Sequence, residues 1–212
     1  MSDVQLLEIF GSDLTVVNAA RVSMGKESTE MTPGDAKLIK YLATHKHVSP
    51  FFHPQIRFRF KMPIPIAREW FRHTVGFSRN EISRRYVDTD PEFFLPTMWR
   101  ERNTSVKQGS KDTPITNEAD VKEDVEEWHA QALGLYKSML ERGVCPEQAR
   151  FVLPQSMYTE FIETGSLYGY ARLCGLRDAP DAQKEIRDYA QQVSALLEKA
   201  FPVSWSALNT PK

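Results

Sequence analysis

The spacing of hydrophobic positions changes along the chain, and each change marks an element. Val4 to Phe10 predicts a short strand, and Gly11-Ser12-Asp13 supplies a turn and a helix cap before a helical stretch from Leu14 to Val22. Thr32-Pro33 opens a second helix that runs through His45, with Ala36, Ile39, Leu42 and Ala43 on one face. Gln55 to Met62 has the clearest strand pattern: Ile56, Phe58, Phe60 and Met62 alternate with Arg57, Arg59 and Lys61. A period of two sends one set of side chains into a core and the other toward water or a charged partner. Pro63 and Pro65 stop that strand, and a helix follows from Ile66 to Thr74.

Thr104 to Thr116 is polar and rich in Ser, Thr, Lys and Gly, which predicts a mobile loop inside the domain. Asn117 to Arg142 predicts a long amphipathic helix. Its apolar positions Val121, Val125, Trp128, Ala132, Leu135 and Met139 step by four and three, and Gly143 ends it. Asp181 to Ala200 is a second amphipathic helix, with Ile186, Tyr189, Val193, Leu196 and Ala200 on its face. No internal repeat is visible. Helices dominate over a few strands, so the predicted class is α+β, in one domain spanning 1–212.

Composition narrows the chemistry. The net charge is −1, so any anion site has to be a local concentration of charge. Two cysteines, Cys145 and Cys174, make neither a disulfide framework nor a four-thiolate metal site, and a reduced cytoplasmic setting is the simplest expectation. Both read as small packing or cap residues rather than nucleophiles, although Cys145, just before Pro146 at a helix start, keeps the option of a lowered pKa. Met1 to Phe10 lacks the basic-then-apolar pattern of a signal peptide. No stretch approaches the roughly 20 apolar residues that span a membrane. His45, His47 and His53 lack a convincing further ligand, so no metal is expected, and His129 reads as a surface or packing residue. Neither a Gly-x-Gly-x-x-Gly turn after a strand nor a Gly-Lys-Ser/Thr loop is present, which argues against a Rossmann domain or a P-loop.

The informative stretch is Arg68 to Tyr86. It holds Arg68, Arg72, Arg79, Arg84 and Arg85 against Glu69 and Glu81, with Ser78, Asn80 and Ser83 between them. A guanidinium presents a planar fork of donors that matches phosphate oxygens, which a lysine cannot do. A solvated basic turn is the plain alternative. Trp70, Phe71, Phe77 and Tyr86 in the same segment argue for partial burial, and buried guanidiniums need anionic partners. A nucleotide phosphate is one such partner, and carboxylates elsewhere in the fold are another. A nucleic-acid-binding module is a third reading, since RNA-binding surfaces mix arginine with aromatics, but the overall charge and the lack of a basic stripe oppose it.

Arg72-His73 followed by Asn80-Glu81-Ile82-Ser83-Arg84-Arg85-Tyr86 resembles the signature of the flavin-dependent thymidylate synthases. The chain departs from that signature at Thr74, where the family carries a second Arg, and in being one residue longer before Ser83. Ala19-Ala20-Arg21-Val22-Ser23, His47-Val48-Ser49-Pro50-Phe51-Phe52-His53, Ala149-Arg150-Phe151-Val152-Leu153-Pro154 and Leu176-Arg177 are similar to further family segments, in the same order. Phe52 stands where the family has an acid, and Ser166, Tyr168 and Arg172 where many members have Asn, Arg and Asn against the flavin.

The resemblance implies an α+β fold with a central, mostly antiparallel sheet flanked by helices. It implies methylation of dUMP to dTMP with FAD, NADPH and methylenetetrahydrofolate, in a homotetramer with shared active sites and no nucleic-acid partner. It places Glu69, Arg72, Glu81, Ile82, Ser83, Arg84, Arg85, Arg150 and Arg177 at the nucleotide, with Arg72, Ser83 and Arg177 nearest the chemistry. It places Ser23, His47, Ser49, Arg72, His73, Thr74, Val75, Asn80, Ser166, Tyr168 and Arg172 along the flavin. A non-catalytic nucleotide-binding homologue stays open because of Thr74, Phe52, Ser166 and Tyr168.

Overall fold

In the computed structural model, residues 3–87, 89–105 and 109–209 are described. Strand β1 (Val4–Phe10) leads into helix α1 (Asp13–Arg21), where Ser12 N–H donates to Thr15 Oγ1 at 3.0 Å. Helix α2 (Pro33–Thr44) starts as its sequence dictates: Pro33 is its first residue, and Thr32 and Asp35 cap each other. Strand β2 (Gln55–Pro63) buries Ile56, Phe58, Phe60 and Met62, the alternation read from the sequence.

Helix α3 (Ile64–Trp70) begins two residues earlier and ends four earlier than expected. Pro65 sits in its first turn, where a missing N–H costs nothing, so it starts the helix instead of only ending the strand. Strand β3 (Phe77–Glu81) follows. The expected loop at 104–116 contains structure: β4 (Arg100–Arg102) pairs antiparallel with β5 (Ser110–Pro114), while positions 106–108 lie outside the described residues. All five β5 residues are exposed, so no apolar alternation announces it.

Helix α4 (Glu118–Glu141) is one residue shorter at each end than expected, with Asn117 and Arg142 as its caps, and turns a different face inward. Its buried residues are His129, Ala132 and Tyr136, while Trp128 and Leu135 are about half exposed. His129 is satisfied by Ser156 Oγ at 2.7 Å from its Nε2 and stacks on Phe93 with ring centroids 4.6 Å apart. That paired histidine takes the inward position that an apolar-only reading gives to its neighbour.

The short α5 (Pro146–Ala149) precedes β6 (Tyr158–Ser166), α6 (Leu167–Arg177), α7 (Lys184–Ala200) and α8 (Pro202–Asn209). Helix α7 starts three residues later than expected and buries Ile186, Tyr189, Ala190, Val193 and Leu197. Asp13 caps α8, accepting from the backbone N–H of Val203 at 3.0 Å and Ser204 at 2.8 Å.

Four strands form one sheet in the order β1-β2-β6-β3, and β1 runs antiparallel to β2 from Val4↔Phe60 to Phe10↔Gln55. The chain divides into two compact units. One comprises 3–60, 70–80 and 162–209, and its core includes Val16, Phe51, Phe58, Trp70, Tyr170 and Leu197. The other comprises 61–69 and the described residues of 81–161, with Ile66, Tyr136, Ala149 and Phe161 buried. Among the described residues no helix is long and apolar enough to cross a membrane.

Candidate active site

The first unit carries a cleft with about 430 Å³ of empty space, part of it open to solvent. Arg72, His73, Thr74, Val75 and Phe77 line it from the α3–β3 connection, and Tyr168, Gly169 and Arg172 line it from α6. Tyr168 and Arg172 are four residues apart, so they share one face of that helix. The chain enters β3 through Gly76 at φ +82°, a left-handed conformation that favours glycine, and a Cβ there would lie 2.9 Å from Ser166 Oγ. Gly165 and Gly169 let the Phe77 ring settle under the cleft, where it meets Tyr170 edge-on at 4.9 Å.

Four arginines surround one histidine. Arg177 Nε donates to His73 Nε2 at 2.9 Å, which requires His73 to be neutral and to carry its proton on Nδ1. Burial holds the His73 imidazolium off, and the positive charges of Arg177, Arg79, Arg172 and Arg72 add to this, bringing its pKa down to about 4. Behind the cleft, Arg79 Nη2 donates to the His73 carbonyl at 2.5 Å, and Arg79 Nε pairs with Glu163. Glu163 is fully buried and also accepts from Trp70 Nε1 at 3.1 Å. Burial pushes its carboxyl up, and Arg79 and Trp70 oppose that rise.

The cleft thus brings together six predicted flavin residues, Arg72, His73, Thr74, Val75, Tyr168 and Arg172, with Arg177 on His73. Ser166 is 1% exposed, and its Oγ accepts from Gly169 N–H at 3.1 Å as the cap of α6. Phe52 and Tyr168, two positions where the chain departs from the family pattern, pack against each other with centroids 5.1 Å apart. Asn80 is exposed on β3, while Ser23, His47 and Ser49 are exposed on other segments of the unit. Ser23 Oγ donates to Ala20 O at 3.1 Å, and Tyr41, His45 and His47 form an exposed ring cluster. Arg21 is drawn to the buried Asp35 at 2.5 Å.

The second unit holds the other predicted nucleotide residues, and most of them are committed to neighbours. Glu81 accepts from Thr159 Oγ1 at 2.6 Å, and Ile82 N–H donates to Glu160 O at 2.8 Å. Ser83 organises the turn after β3, its Oγ accepting from Arg85 N–H at 3.3 Å and its carbonyl from Tyr86 N–H at 3.0 Å. Arg84 donates to the Thr89 carbonyl, and Arg85 pairs with Glu147 at 2.5 Å. Arg150 and Glu69 are half-buried.

The nucleophilic-cysteine option fades here. That holds for Cys174, whose burial pushes the thiol up to about 12, while Cys145 is exposed. Among the described residues no three His, Cys, Asp or Glu side chains are grouped to hold a metal. The sequence reading missed Glu163 and its pairing with Arg79. The available signal was a lone acid at an inward position of a β-period run, Thr159, Phe161, Glu163, Gly165, which demands a buried cation.

The family model described as thymidylate synthase complementing protein, Thy1, matches residues 5–203. A flavin-dependent thymidylate synthase of Thermus thermophilus is 41% identical over 207 residues, covering 97% of this chain and 75% of that one. A namesake from Thermosipho melanesiensis is 37% identical over 203 residues, covering 94% and 86%. Among solved structures, the UMP/dUMP methylase PolB from Streptomyces cacaoi bound with 5-Br dUMP superposes with a TM-score of 0.85 at 30% identity, covering 96% of this chain and 93% of that one. The same methylase bound with 5-Br UMP gives 0.86 at 29% identity, covering 97% and 92%. The fold, the ordered segments and the arginine-rich cleft have one common explanation: this chain belongs to the flavin-dependent thymidylate synthase family.

Proposed function

We propose that the protein methylates dUMP to dTMP, with FAD as the hydride carrier, NADPH as its reductant and methylenetetrahydrofolate as the one-carbon donor. The observation that carries this reading is the cleft of the first unit, where Arg72, Arg172 and Arg177 gather around a neutral His73. Its donor set fits a flavin dinucleotide: guanidiniums suit a diphosphate, and Tyr168 and Val75 offer apolar surface to a planar ring. When bound, FAD supplies the hydride chemistry that amino-acid side chains lack.

The residues of this chain bind and orient. Arg177 has its Nε committed to His73, which fixes the plane of the guanidinium and aims its remaining nitrogens. An arginine held beside the pyrimidine stabilises negative charge that develops on the ring as the new carbon–carbon bond forms. Neutral His73 adds no further cation to an already crowded positive site. Arg72, Thr74, Val75, Tyr168 and Arg172 line the flavin, and Arg72 and Arg177 reach the nucleotide. Ser83, Arg85 and Arg150 are further nucleotide contacts, in a homotetramer whose copies share active sites. Exposed apolar side chains support such assembly: Tyr86 and Phe151 are each 78% exposed, and Trp128 and Leu135 lie outward on α4.

A second substrate has a specific motive, because the similar Streptomyces methylase is described with both 5-Br UMP and 5-Br dUMP bound. The purified protein is expected to be yellow, to release flavin on denaturation, and to oxidise NADPH only when nucleotide and methylenetetrahydrofolate are present. Running dUMP and UMP in parallel, with product identified by mass, decides between them. A colourless protein that forms no methylated nucleotide from either removes the proposal.

A further inference from the structure

The buried Arg79–Glu163 pair sits behind the cleft without lining it, and its geometry exceeds what stability requires. Both side chains are largely out of water: Glu163 is fully buried and the Arg79 side chain is 15% exposed. Buried ion pairs are often replaceable by apolar residues with no loss of stability, so this one invites a different explanation. The shape of the arginine supplies it. Arg79 directs Nε to Glu163 and Nη2 to the His73 carbonyl, while its guanidinium lies 5.2 Å from the Phe71 ring and 4.9 Å from the Phe77 ring. Trp70 Nε1 holds the other oxygen of Glu163. The guanidinium is therefore fixed in position and in plane.

What it fixes is the segment that matters. Residues 71–76 join α3 to β3 and carry Arg72, His73, Thr74 and Val75 into the cleft. The backbone bonds at the two ends of this segment are long, His73 N–H to Trp70 O at 3.2 Å and Phe77 N–H to Thr74 O at 3.3 Å. Between them, the His73 carbonyl is held by Arg79. The same residue receives Arg177 on its ring.

We propose that Arg79, braced by Glu163 and Trp70, is a positioning residue whose two-pronged guanidinium pins the His73 carbonyl and thereby sets the aim of His73, Arg177 and Arg72 at the ligand. The charge of Arg79 is secondary; its fork is the working part. A lysine at this place keeps the charge against Glu163 but cannot reach Glu163 and the His73 carbonyl at once.

This inference rests on the flavin-nucleotide reading of the cleft, and the experiment separates the two. Parent, Arg79→Lys and the double variant Arg79→Met/Glu163→Met are compared by FAD dissociation constant, by dUMP dissociation constant of the FAD-loaded protein, and by thermal midpoint. The ligand-free proteins are compared by the NMR titration of His73. A parent that binds neither FAD nor dUMP removes the functional reading itself. With parental binding present, Arg79→Lys is expected to keep its thermal midpoint, to weaken dUMP binding at least tenfold, and to move the His73 titration upward although the cation count is unchanged. The double variant is expected to fold with a parental midpoint and to show the same loss of affinity. Parental dUMP affinity together with an unmoved His73 titration in Arg79→Lys overturns the inference. A double variant that melts far below the parent, or does not fold, makes the pair a stability element and overturns it too.

Discussion

The arginines of the two units end in two different physical states, although Arg79 lies only a few residues before Arg84 and Arg85. In the first unit Arg79 is tied to a buried carboxylate, and Arg177 to a neutral imidazole. In the second unit Arg85 meets Glu147 with both side chains about half exposed, and Arg84 donates to a backbone carbonyl in a turn. The dividing point is the end of β3. Arg79 stands on the strand, where pleat and register choose its direction, whereas Arg84 and Arg85 follow the strand in a turn shaped by Ser83. The first set is organised by folding. The second is held by exposed contacts, which contribute little in water.

Three variants test that contrast. Glu163→Ala strands the Arg79 charge in the core and is expected to lower unfolding stability by about 3–5 kcal/mol, read from urea denaturation. A loss below ~1 kcal/mol erases the distinction between the two sets. Arg177→Ala is expected to leave folding largely intact and to weaken dUMP binding by about 2–3 kcal/mol, the usual scale for a charge-assisted partner. Unchanged affinity in a calorimetric titration removes Arg177 from the nucleotide. Arg85→Ala removes an exposed pair with Glu147 and a contact with the exposed Tyr86 ring, and is expected to change stability by less than about 1 kcal/mol while still raising the dUMP dissociation constant. A stability loss comparable to that of Glu163→Ala shows that the second set is preorganised as well.

The sequence made one of these sets easier to read than the other. Strand β2 was legible because its inward residues are all apolar. Strand β6 has the same burial pattern but places Thr159, Glu163 and Gly165 inward, so its alternation does not register as hydrophobic. The motif residues Arg72 and His73 were legible through a family pattern, while their support was not, because Arg79 and Glu163 are separated by 84 positions. Pairing across a sheet depends on register, which local periodicity does not encode. The same limit explains α4, where a hydrogen-bonded His129 replaced an apolar residue on the inner face.

The contrast also predicts a pH dependence, and its sign follows from His73. In the unfolded chain the ring has an ordinary pKa near 6.5, and in the folded protein burial and then the charges of Arg177, Arg79, Arg172 and Arg72 bring it to about 4. Between pH 6.5 and pH 4 the unfolded state therefore takes up a proton that the native state refuses. Stability falls as the pH falls through that window and levels off below it. Protonation near pH 4 also removes the acceptor for Arg177 Nε, so the cleft loosens in the same range. Replacing the ring by His73→Gln keeps an acceptor for Arg177 and removes the titration. Urea midpoints of parent and variant at pH 7 and pH 5 are expected to show the smaller acid-induced drop in the variant. The His73 ring signal should hold steady from pH 8 to pH 5 and move only near pH 4. A ring that titrates near 6.5 is not enclosed by the four guanidiniums, and the preorganisation assigned to the first set then does not exist at its centre.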